Sequence, residues 1–136
     1  MKTSNTTRAV QAALIVAAIG CANTRALADI NDYRFELVDP AVKAGPDKVI
    51  TVRLMNQKTG KAVPGAVIFA TRLDMAPEAM KEMVTKVTPV PDAAEPGIYR
   101  FQATLGMAGR WQLTLDAKIQ GEAGTLENKL VITAQP

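Results

Sequence analysis

The chain has 136 residues, 48% of them apolar, with 16 Lys and Arg against 13 Asp and Glu and no histidine. The missing histidine excludes His-based catalytic triads, haem ligation by His, and the imidazole ligands of most zinc and Cu(II) sites. The one cysteine, Cys21, and the one serine, Ser4, both fall within the first 28 residues.

That N-terminal stretch reads as an export signal. Lys2 and Arg8 precede an apolar, Ala-rich run from Ala9 to Ala22, and Ala26-Leu27-Ala28 is a small-x-small cleavage pattern before Asp29. The run is shorter than the roughly 20 residues of a membrane-spanning helix, so cleavage after Ala28 and a periplasmic or exported domain are expected. Lipid attachment at Cys21 is the alternative, although Ala18 stands where that signal asks for a branched aliphatic. Three basic residues (Lys2, Arg8, Arg25) would leave with the signal, so 13 basic residues face 13 acidic ones in the remainder. A near-neutral domain carries no electrostatic footprint for nucleic acid or anionic lipid. Residues 29–136 hold no cysteine or serine. They therefore offer no disulfide, no thiolate ligand and no Ser or Cys nucleophile, and a non-enzymatic single domain resting on one core is expected.

Tyr33 to Asp39 is the first predicted strand, ended by Pro40 and the turn-rich Ala44-Gly45-Pro46-Asp47. Lys48 to Met55 follows, with Ile50, Val52 and Leu54 alternating against Thr51 and Arg53, the period of a half-buried strand. Asn56 to Lys61 is a polar turn. Its Lys58-Thr59-Gly60-Lys61 lacks the upstream glycine and the following helix of a phosphate loop. Ala66 to Leu73 is the third strand, with Val67, Phe69, Thr71 and Leu73 on its inner parity. Asp74 to Met83 breaks the pattern. Pro77 and Glu78 suit the first turn of a short helix, which would place Met80 and Met83 on one face. Val84 to Val90 is an edge strand ending in prolines. Gly97 to Leu105 sets Tyr99, Phe101, Ala103 and Leu105 against Arg100, Gln102 and Thr104, with the Tyr99 hydroxyl available to bond backbone at a corner. Trp111, Leu113, Leu115, Ala117 and Ile119 then alternate with polar residues, and Thr125 to Ala134 is the last strand, with Leu130 and Ile132 inward. About seven short strands joined by Gly/Pro turns indicate an all-β, immunoglobulin-like antiparallel β-sandwich carrying a short Met-containing helical or loop cap.

The candidate site lies between Leu73 and Trp111. Met75, Met80, Met83 and Met107 fall in this stretch, and a fold that brings its ends together would gather four thioethers. Thioethers are soft, proton-free donors that favour Cu(I) and Ag(I) over harder ions. Asp74, Glu78 and Glu82 are possible hard auxiliaries, and Trp111 could cover a cation. The same residues also fit a core plug. Met75 shares the parity of Leu73 and Met107 that of Phe101 and Leu105, so both could close the end of the sandwich, while Met80 and Met83 fill gaps as methionine does well. On that alternative the chain is a metal-independent module that docks by an edge strand or an exposed rim.

Three segments together, Asp74-Met75-Ala76-Pro77-Glu78-Ala79-Met80-Lys81-Glu82-Met83, Gly97-Ile98-Tyr99-Arg100-Phe101 and Met107-Ala108-Gly109-Arg110-Trp111-Gln112-Leu113, resemble the FixH/YtkA-like domain family over roughly Tyr33 to Thr133. The resemblance implies a small exported β-sandwich of the cell envelope that handles copper or silver, with a heavy-metal efflux adaptor or a cuproenzyme assembly protein as partner. Members of that family often carry a histidine among the methionines. This chain has none, which points away from Cu(II).

Overall fold

The computed structural model describes residues 29–91 and 95–136; the expected signal and Cys21 lie outside them. After a 3-10 turn at Ile30–Asp32 come ten strands: β1 Tyr33–Leu37, β2 Ala41–Lys43, β3 Gly45–Asn56, β4 Lys61–Ala62, β5 Val67–Met75, β6 Met80–Thr85, β7 Val87–Val90, β8 Ile98–Leu105, β9 Gly109–Lys118 and β10 Leu126–Gln135. A second 3-10 turn, Ala76–Glu78, separates β5 from β6.

One sheet runs in the order β1-β3-β8-β7, with β4 hairpinned onto β3; the other runs β2-β10-β9-β5-β6. All pairs are antiparallel except β2 on β10. Both sides of the sandwich are bounded by a strand that changes sheets. The chain passes from β1 to β2 after Pro40, and from β6 to β7 at Lys86. Strands that switch sheets at a bend are how two packed sheets make their corners. The strand expected as one run over Val84–Val90 is thus two edge segments belonging to different sheets.

The core follows the alternations. Ile50, Val52 and Leu54 of β3, Phe101, Ala103 and Leu105 of β8, and Trp111, Leu113, Leu115 and Ala117 of β9 are buried, joined by Phe35, Leu73, Ile119 and Ile132. Asn128 on β10 accepts a 2.7 Å hydrogen bond from the Phe35 backbone N–H, a polar link from one sheet to the other. The polar turn at 56–61 is organised by Asn56, whose Oδ1 accepts from the N–H groups of Lys58 and Thr59. These turn N–H groups are spent internally, as a hairpin requires.

On β5 the expected parity holds only in part. Ile68 faces Ala117 and Ala70 faces Asp116, so Phe69 is an extra residue in the ladder. A bulge shifts the facing of the strand on either side of it. Leu73 is buried as expected, whereas Val67 and Phe69 are 62% and 57% exposed.

Tyr99 ties the β4–β5 connection to β8. Its hydroxyl donates to the Val63 carbonyl and accepts from the Ala66 N–H, both at 3.0 Å, while its ring meets Phe35 edge-on. Tyr99→Phe keeps the ring and leaves a half-buried carbonyl and N–H without this partner. It should lower stability by about 1–3 kcal/mol, read as a lower urea midpoint with an unchanged m-value.

Candidate metal centre

The β5–β6 hairpin and the turn from β8 to β9 meet at one end of the sandwich, because β5 and β9 are antiparallel neighbours: Leu73 faces Leu113 and Asp74 faces Gln112. Beyond those pairs, the 3-10 turn Ala76–Glu78 packs on β9. The expected helix over Pro77 to Met83 is shortened to this single turn. Pro77 and Glu78 occupy its start as anticipated, but Ala79 adopts a left-handed conformation (φ 60°) and ends it. Met80–Thr85 then pairs with the exposed edge of β5, giving the backbone a ladder in place of about two isolated helical turns that would be marginal alone. Met80 and Met83 therefore do not share a helix face: Met80 is paired to Met75, and Met83 lies in the part of β6 that leaves the ladder.

All four candidate methionines lie on these two connected pieces. Met75 is fully buried, in line with Leu73. Met80 is its direct ladder partner, which puts their side chains in neighbouring positions. The ladder then jumps: Asp74 faces Val84, so Lys81, Glu82 and Met83 bow out between the two pairs. Met80, Met83 and Met107 are 37%, 43% and 41% exposed. Met107 does not continue the inward row of Phe101 and Leu105. It lies in the turn between β8 and β9, and its carbonyl accepts a 3.1 Å bond from the Trp111 indole N–H. Trp111 itself is a core residue, 2% exposed. Met75 is thus enclosed by the core, while Met80, Met83 and Met107 are each partly exposed.

Two acidic residues at this end are held by arginines. Asp74, 4% exposed, takes a 2.7 Å bond from Arg72 Nε on one oxygen and the Ala76 N–H on the other. Glu78 Oε1 accepts from both the backbone N–H and the Nε of Arg110, at 3.0 and 2.9 Å. Arg110 Nη2 also reaches the Pro77 carbonyl. Glu82 is exposed. The Arg72–Asp74 pair is a two-residue spacing on one strand face and was open to sequence reasoning. Glu78 and Arg110 are 32 residues apart, and no local pattern announces them.

Gly109 makes the close approach possible. It has φ +138°, and a Cβ there would come 2.8 Å from the Met75 methyl and 3.7 Å from the Glu78 carboxylate. Met75 and Glu78 therefore share the space over the start of β9. Elsewhere, a cleft of about 290 Å³ opens between β5 and β7–β8, lined by Ile68, Phe69, Val90, Ile98 and Phe101 among others. Neither this cleft nor the exposure of Phe69, the bulge residue that helps line it, was foreseen.

A family model described as YtkA-like matches residues 27–116. The chain belongs to the YtkA-like family. The match takes in the whole methionine end and stops before β10, short of the Thr133 limit expected from the motifs. Membership suggests at most a small domain of the copper-handling kind, and the YtkA-like fold is a non-catalytic kind of domain. No curated protein matches the chain. Among solved structures, it is similar to the ZirS C-terminal domain, with TM-score 0.48 at 11% identity over 100% of this chain and 88% of that one. It is also similar to the Lin-41 filamin domain, with TM-score 0.45 at 14% identity over 79% and 94%. For domains 4 and 5 of the S-layer protein SbsC the values are 0.41 and 14% over 76% and 51%. The two-sheet architecture of this YtkA-like domain is immunoglobulin-like. Among its described residues, no helix is long and apolar enough to cross a membrane, and no cluster of three or more His, Cys, Asp or Glu is placed to hold a metal.

Two measurements probe this geometry. Gly109→Ala pushes a methyl into the Met75 side chain at a backbone angle unsuited to alanine, and should cost about 1–3 kcal/mol in urea denaturation. The second concerns acid. The side-chain hydrogen bond from Arg110, then its backbone N–H, hold Glu78 below the ordinary value of 4.5. A carboxyl depressed in the folded protein stabilises it fully above that ordinary value and loses the contribution as pH falls through the lower, folded one. Asp32, held low first by the Asp29 backbone N–H, acts in the same direction, so the comparison must be between proteins. Glu78→Gln should lose less stability than the parent between about pH 7 and about pH 3, measured as the shift in urea midpoint.

Proposed function

We propose that this YtkA-like domain is an exported, non-enzymatic soft-metal binding protein of the periplasm that takes Cu(I) or Ag(I) as cargo through Met75, Met80, Met83 and Met107. The observation that carries the reading is the exposure of three of the four thioethers, 37–43%, at one end of the sandwich beside the buried fourth. A plug would bury them; a site that accepts and releases an ion leaves them reachable. The donor set fits the cargo. With no histidine in the chain, the end offers neutral sulfur, which suits soft d¹⁰ cations, and thioethers bind without first losing a proton. Three or four such donors give a site of moderate affinity, suited to handing an ion onward to a heavy-metal efflux adaptor or a cuproenzyme assembly protein.

A second reading has its own observation. Phe69 and Val67 are exposed, and β6 pairs with β5 only from Leu73 to Met75, so the edge of β5 from Val67 to Arg72 lies outside that ladder. An edge of this kind beside an apolar cleft could receive a strand from an envelope protein without any metal.

Competition of the purified protein against a chromophoric Cu(I) chelator separates the two. Substituting Met75, Met80, Met83 and Met107 by Leu, singly and together, retains volume and removes sulfur. One-to-one competition that weakens stepwise along the series, with an unchanged circular dichroism spectrum, is the expected result. A parent protein that never competes leaves the docking reading, with Phe69→Ser as its variant.

A further inference from the structure

Both folded-in carboxylates at the methionine end are bound to an arginine. Arg72 holds Asp74 at 2.7 Å and donates its Nη2 to the Lys81 carbonyl, on the segment between Met80 and Met83. Arg110 holds Glu78 at 2.9 Å by a side chain that is itself 55% exposed. Ion pairs this exposed contribute little to stability, so the pairing of Glu78 with Arg110 asks for another explanation than holding the fold together. Its placement supplies one. The Met75 methyl and Glu78 Oε1 lie 2.8 and 3.7 Å from the position a Cβ on Gly109 would take, so an unpaired Glu78 would put a charged oxygen beside the Met75 side chain.

We propose that Arg110, with Arg72 in support, determines the metal selectivity of this end by engaging Glu78 and Asp74, so that the available donors are thioethers and hard divalent cations are turned away. The inference rests on the soft-metal reading above. Its chemistry is general. Zn(II) and Cu(II) favour anionic oxygen or imidazole donors and the negative charge that goes with them. Cu(I) and Ag(I) need neither. A guanidinium bound to one oxygen of each carboxylate offsets that charge and occupies lone pairs of the bound oxygen. The exposed Glu82 remains as a lone carboxylate, short of the several ligands a divalent ion requires. Arg110 is thus a specificity-determining residue, not a ligand.

The test compares the parent with Arg110→Gln, Arg110→Lys and the double variant Arg110→Gln/Glu78→Gln. Each is titrated with Cu(I) by chelator competition and with Zn(II) by calorimetry. The parent should take Cu(I) and show weak or no Zn(II) binding. Arg110→Gln should keep its Cu(I) affinity and gain about tenfold in Zn(II) affinity, the scale on which neighbours of metal ligands act. Arg110→Lys, which keeps the charge, should gain little, and the double variant should lose the gain. Because Arg110 is exposed and outside the core, its variants leave the packing intact, and circular dichroism checks this. A folded Arg110→Gln with no gain in Zn(II) overturns the proposal, as does a gain that survives Glu78→Gln. Failure of the parent to bind Cu(I) is a different result: it removes the soft-metal reading, while the Zn(II) arm still reports what Arg110 does to Glu78.

Discussion

Met75 seals the end of the core against the backbone of Gly109, and every exposed group at that end hangs from this contact. The side chain is fully buried, and its methyl fills the space that a Cβ at residue 109 would occupy. That close approach brings the turn at Ala76–Glu78 down onto β9, where Glu78 meets Arg110. Met80 follows as the ladder partner of Met75. The Trp111 N–H bond to the Met107 carbonyl fixes the turn on the other side. With no cysteine in residues 29–136, packing and hydrogen bonding hold these pieces in register without a disulfide.

The arrangement separates two roles that methionine can play. Where the side chain is enclosed, as at Met75, its flexibility lets it fill an irregular gap at the core's end. Where it is left partly in solvent, as at Met80, Met83 and Met107, it gives up less than half of the burial free energy of a methionine side chain, about 0.5–1 kcal/mol each. Three large apolar residues partly exposed on the elements at one end of the sandwich are a departure from what folding alone favours, and such departures gather where a protein does its work. Exposed thioethers are also open to oxidation to the sulfoxide, so this end of the domain carries a chemical liability that a merely structural element would avoid.

Much of the fold was legible in the sequence, and the reason is burial of one face. β3 from Lys48 onward and β9 alternate because each has the core on one side and solvent on the other, and their inward residues are buried as read. The Tyr99 corner was legible for a similar reason, as a polar tip at the end of an apolar row. The bulge at Phe69 was not, since one extra residue leaves no mark on composition yet turns Val67 and Phe69 outward. The segment from Pro77 to Met83 misled because Ala, Glu, Met and Lys favour helix locally, while its partner, the edge of β5, is supplied by the tertiary fold. The candidate methionines were nameable from sequence. Their division into one buried and three exposed was not, and neither was the Glu78–Arg110 pair, which joins residues far apart in the chain.

The most direct test is an NMR titration of the protein, labelled with ¹³C at its methionine methyls, with Ag(I). Met55 is an internal control: it is half-buried on β3, opposite Arg34 and Ala62, beyond the end of β3 that meets the start of β8. A single soft-ion site at the methionine end requires the methyl signals of Met80, Met83 and Met107, with Met75 beside them, to move together and saturate at one equivalent while Met55 stays in place. Signals that do not move, or that move equally at Met55, would contradict it.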